Sequence, residues 1–174
     1  LSRLMNELYS GGLSDLLYYY RQGQCSWARI SSAVYTWENL DYIPPARYPE
    51  DLSQTDGAYI AGFLEDMARS TAYRMIVVDV GQSGKTAVDV MEICDAVYMP
   101  VKEDMISQAK IEEFEQYLEA SGNSHLQERI QKIKLPVRQS LSRDKSGLGN
   151  LPWSELGDYV RSLLKGGGYG GKEK

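Results

Sequence analysis

Cysteine is nearly absent from this chain. Cys25 and Cys94 lie far apart, with no second Cys or His at metal-ligand spacing, which argues against a disulfide framework or a zinc site and for buried free thiols in a reducing compartment. Long hydrophobic runs are missing too. The longest near the middle, "MIVV", is far short of the roughly 20 residues that span a bilayer, and no basic-then-apolar leader opens the chain. A cytoplasmic protein with no transmembrane segment is expected. A surplus of basic charge is the third absence. The net charge of −5 and pI near 5.0 argue against broad binding to nucleic acid, which needs excess Lys and Arg to displace counterions. No nucleic-acid partner is expected. The sole histidine, His125 in "GNSHLQE", has no evident Ser or Cys partner, so acid–base or nucleophilic enzymology ranks behind the readings below.

What is present suits a folding chain. Hydrophobic residues make up 43% and charged ones 25%, which excludes wholesale disorder, and 174 residues suffice for one domain with a real core. The expected organisation is a single α/β domain over residues 1–165 and a mobile Gly-rich tail, 166–174. The chain opens on Leu1 in an already amphipathic stretch, which suggests a piece of a longer protein.

Residues 1–22 read as two short helices hinged at Gly11-Gly12. Tyr18, Tyr19 and Tyr20 fan around the second, so at least one phenol must meet solvent or a partner. Apolar residues either side of Glu38-Asn39 predict one or two short strands, followed by a Pro-rich loop. From 53 to 70, Ile60, Phe63, Leu64 and Met67 share one helical face. "RMIVVDV", residues 74–80, is continuously apolar up to its acid, the mark of a strand buried on both faces. A short helical stretch, "AVDVMEIC", leads to a second buried strand, "DAVYMPV". The helix predicted over 104–121 carries Ile111, Phe114 and Leu118 inward and ends at Gly122. A helical turn or two over 125–131 precedes a third, weaker strand around "KIKLP". The last helix, 152–164, aligns Trp153, Leu156, Val160 and Leu163. Alternating strands and helices predict a three-layer α/β domain, a mainly parallel sheet flanked by helices. Ligands gather at the carboxyl ends of such strands, where Asp79, residues 100–104 and residues 136–138 would meet.

"DVGQSGKT" ends like a phosphate loop, but Asp79 stands where that pattern needs its first glycine, and the helix after it is short. Two roles suit Asp79 better. It is the acid at a strand end that positions magnesium through water, with Gly81 and Gly84 letting the loop approach a γ-phosphate, or it caps the following helix beside a tight glycine turn.

The run "YRMIVVDVGQSGKTAVDVMEICDAVYMPVKEDMISQAKIEEFEQYL" resembles the second half of the ParA/MinD family of deviant-P-loop ATPases, in which a buried "(I/V)(I/V)D" strand and switch loop precede an "aD.v..pv" strand and a helix. "GLSDLLYYY" and "NLDYIPPARYPEDL" are similar to the family's upstream segments, and the whole resembles the TadZ/CpaE-like branch that positions pilus-assembly machinery. The resemblance covers residues 1–165. It implies a P-loop-NTPase-like fold and, in a complete parent, ATP and Mg. It assigns Asp79 to the magnesium side, Gly81 and Gly84 to the switch, and Pro136 and Val137 to the wall near the adenine. The family's phosphate loop would lie upstream of Leu1, so this chain alone is not expected to hold ATP tightly or to be active. A homodimer and protein partners of a positioning system are the implied associations.

The competing reading is a non-catalytic scaffold of the same architecture, with Tyr18, Tyr19, Tyr20, Trp27, Tyr35 and Trp37 as interface residues. The cluster Lys132, Lys134, Arg138, Arg143 and Lys145 reads as a solvated face.

Overall fold

The computed structural model describes residues 9–24, 26–46, 52, 55–81, 84–136 and 149–166. The helix expected over residues 1–9 lies almost wholly outside them, as do Cys25, Val137, Arg138, Arg143, Lys145 and residues 167–174. The chain divides into two units, Leu1–Ile93 and Cys94–Lys174. Among the described residues it is a mixed helix-and-sheet protein with two short two-stranded sheets, one antiparallel and one parallel.

In the first unit, helix α1 (Leu13–Arg21) starts where Gly12 gives its N–H to Asp15 Oδ2 at 2.9 Å. Gly12 has little alternative, since a Cβ there would sit 3.0 Å from the Pro44 carbonyl oxygen, the same oxygen that accepts from the Leu13 N–H. α1 buries Leu16 and Leu17. Helix α2 (Trp27–Ser32) follows, a six-residue element too short to show a period in the sequence, with Ile30 buried. Strands β1 (Tyr35–Trp37) and β2 (Leu40–Tyr42) pair antiparallel through the two-residue turn Glu38-Asn39, with Trp37 opposite Leu40. Helix α3 (Gly57–Ser70) begins where Asp56 accepts the Ala58 N–H. Its expected stripe is the core of this unit: Ile60, Phe63 and Met67 are buried, with Leu64 half-buried beside them. Helix α4 (Gly84–Ile93) packs on α3 and buries Ala87, Val88, Val90 and Met91.

The second unit carries β3 (Val97–Pro100) and β4 (Ile130–Ile133), paired parallel in the register Val97 to Ile130. The crossover between them holds α5 (Met105–Ala120) and α6 (His125–Arg129). Asp104 caps α5 by accepting the Ser107 N–H at 2.8 Å, and Gly122 ends that helix region at φ 77°. Leu118 of α5 and Leu126 of α6 are fully enclosed, and Ile111 and Phe114 are half-buried. A 3-10 turn (Leu151–Trp153) leads into α7 (Glu155–Gly166).

Three expectations are corrected. Residues 74–80 form no strand: they join neither sheet, and exposure alternates from half-buried Ile76 to exposed Val77, half-buried Val78 and exposed Asp79. A strand apolar on both faces persists only with strands beside it and layers over it, and neither sheet supplies these. The third strand lies two residues earlier than "KIKLP", at Ile130–Ile133, which confines the helical turn to five residues. Trp153 is not on the last helix stripe. It belongs to the preceding 3-10 turn and is 85% exposed, while Leu156 and Leu163 are half-buried.

Candidate functional site

Asp79, Gly81, Gly84 and Lys85 form the candidate site in the first unit. The exposed Asp79 carboxylate accepts the Gly81 N–H through Oδ1 at 3.3 Å, an Asx-type turn, and Gly81 stands at φ 62°, where a side chain would be strained. Gly84 is the first residue of α4. The Asx turn is the local, structural role for Asp79, and it uses Oδ1. Among the described residues Lys85 forms no ion pair with Asp79. Its ammonium lies 3.9 Å from Asp56 Oδ1, at the start of α3, and is well exposed. Beside this pair, Asp89 Oδ2 is buried without a hydrogen-bond partner, against Gly57 at the N-terminus of α3.

The structure therefore brings Asp79 and Gly81 into direct contact and puts Gly84 three residues on at a helix start. Pro136 is half-buried just after β4, in the second unit, and Val137 lies outside the described residues. Among the described residues no three of the groups that hold metals cluster together.

The tyrosines divide by role. Tyr20 is spent inside: its hydroxyl donates to Asp66 Oδ2 at 2.6 Å and its ring lies 5.3 Å from Phe63 and 5.0 Å from Tyr59. Tyr18 is 61% exposed, as the fan of three consecutive side chains requires. Tyr35 is half-buried, its oxygen accepting the Ser10 N–H at 2.9 Å, and hydrogen bonding with Ser10 holds its phenol below the usual value. Sequence reasoning missed Asp41, which accepts hydroxyls from Thr36 at 2.6 Å and Tyr73 at 2.8 Å. These bonds hold its carboxyl below the usual carboxylate range. The alternation of Thr36 and Asp41 about a two-residue turn was the available signal.

In the second unit Cys94 is half-buried, and desolvation pushes its thiol up. Arg129 donates to the Cys94 carbonyl. Lys132 and Lys134 of the basic cluster pair with Glu115 and Glu103, which agrees with a solvated, locally neutralised face. His125 is exposed at the start of α6. Among the described residues no helix is long and apolar enough to cross a membrane. No family model, curated protein or solved structure matches the chain.

Proposed function

We propose that the chain is part of a ParA/MinD-like nucleotide-dependent switch of the TadZ/CpaE type, a cytoplasmic dimer-forming protein that positions an assembly such as a pilus system. In this reading the parent holds a three-layer parallel sheet, and residues 74–80 are one of its strands. Support comes from Asp79. It closes a run of apolar residues whose edges have no ladder partner among the described residues, and it is followed at once by a left-handed glycine and a helix start. A strand from the upstream portion of the parent would satisfy that edge and carry the phosphate loop. Magnesium bound with ATP would neutralise charge developing on the terminal phosphate, and this chain's part is to present Asp79 Oδ2 to the ion or its water shell. Switching would follow from the different affinities of nucleotide for the closed and open parent.

The test is Asp79→Asn in the parent, chosen because it keeps the Gly81 hydrogen bond while removing the charge. Magnesium-dependent ATP turnover should fall at least tenfold with little change in folding, and an unaltered magnesium dependence would refute the assignment. The scaffold reading is favoured by a different observation, the exposed Tyr18 with its ring 5.7 Å from Tyr19, and it takes over if the parent gene encodes no glycine-rich lysine loop upstream.

A further inference from the structure

Two arginines in the first unit lie over tyrosine rings. The Arg29 guanidinium carbon lies 4.2 Å from the centroid of Tyr19, and that of Arg21 lies 5.7 Å from the centroid of Tyr59. Both arginines are exposed, and among the described residues neither joins an ion pair. A guanidinium held over a ring by the cation–π attraction loses part of its freedom, and its planar fork of N–H donors matches a carboxylate in two parallel bonds. Arg69 is different, because Glu65 and Asp66 already engage it.

A cavity of about 290 Å³ opens beside Tyr20. Buried Ile30, Phe63 and Met67 form its floor, and Asp66, Arg69 and Ser70 its rim. That volume is at the bottom of the range for small-molecule sites, so it suits one large side chain better than a cofactor. Neither arginine lines the cavity, but each is one step from a residue that does: the ring of Tyr20 lies 5.0 Å from that of Tyr59, the partner of Arg21, and Ile30 follows Arg29 in α2.

We propose that this surface docks a short acidic segment of a partner protein, one apolar anchor side chain entering the socket while flanking carboxylates meet Arg21 and Arg29. Charge complementarity selects the occupant: the unspent groups here are cationic forks, and Asp66 on the rim has its two oxygens bonded to Tyr20 and Arg69. A long polyanion such as nucleic acid needs many cationic contacts to gain from counterion release, and two arginines on a chain of net charge −5 do not supply them. Buried apolar anchors bracketed by Arg and Tyr are also the usual hot-spot composition of protein interfaces. The proposal does not depend on nucleotide binding by the parent.

The experiment presents the full 174-residue chain with a displayed pool of twelve-residue peptides. Each has a central Leu or Phe, and its flanks are drawn at random from Asp, Glu, Lys and Ser. Retained peptides should be enriched in Asp and Glu. The best of them should lose at least tenfold in affinity to the Arg21→Gln/Arg29→Gln double variant and weaken as salt rises. Ser70→Trp, which closes the socket mouth without changing charge, should weaken it as well, while both variants keep the parent melting temperature. A retained pool with neutral or basic flanks would overturn the proposal. So would equal affinity for the double variant, or displacement of the peptide by an equimolar thymidine dodecamer.

Discussion

At the scale of single residues, two backbone positions carry strain or close contact that a substitution can read. Glu38 occupies the β1–β2 turn at φ 54°, where any side chain costs about 1–2 kcal/mol and glycine nothing. Allowing for glycine's larger entropy loss on folding, Glu38→Gly should raise stability by roughly 0.5–1 kcal/mol in urea unfolding. Gly57 behaves in the opposite sense. A Cβ there would lie 2.3 Å from Asp89 Oδ2 and 2.8 Å from the Thr86 Cα, so Gly57→Ala should destabilise by about 1–3 kcal/mol, as overpacking does. Titration offers a third reading. Hydrogen bonds from Thr36 and Tyr73 depress Asp41, and those from Tyr20 and Arg69 depress Asp66, each from an ordinary value of 3.8. A depressed carboxylate contributes stability above its unfolded pKa, and that contribution is lost as pH falls through the lower folded value. The stability these two carboxylates contribute should therefore decline as pH falls below their ordinary value of 3.8, and Asp41→Asn with Asp66→Asn should flatten that part of the pH dependence.

Among the elements, α3 was legible because burying Ile60, Phe63 and Met67 needs only a period and one surface to cover. The α5 stripe, with its Asp104 cap and Gly122 stop, was legible for the same reason. Helix α2 was not, since six residues hold too little pattern, and β4 slipped because "RIQKIKLP" has strand formers on both sides of its true end. Residues 74–80 were misread for a deeper reason. Composition reports what a segment could pair with, whereas pairing needs a neighbour, and neither sheet provides one. The backbone of residues 75–78 should be open to solvent. Hydrogen exchange at Met75, Ile76, Val77 and Val78 in this chain should run close to unprotected rates, against slow exchange at Leu118 and Val90. Strong protection at 75–78 would mean that the segment is paired in solution.

For the molecule as a whole, the sequence conveyed a mixed α/β protein with a parallel pair, and it marked Asp79, Gly81 and Gly84 as one local turn. It did not convey the division into units ending and beginning at Ile93 and Cys94, because that depends on which residues meet in space. The proposed function assigns the cradle that grips a nucleotide to the upstream portion of the parent, and to the described residues Asp79, Gly81 and Gly84 only an accessory part. One exposed carboxylate and a turn glycine have no means of enclosing three phosphates. Titration calorimetry with Mg-ATP addresses this directly. The 174-residue chain should show no micromolar binding, and a parent extended through an upstream glycine-rich lysine loop should bind. Micromolar affinity in the 174 residues alone would contradict the account.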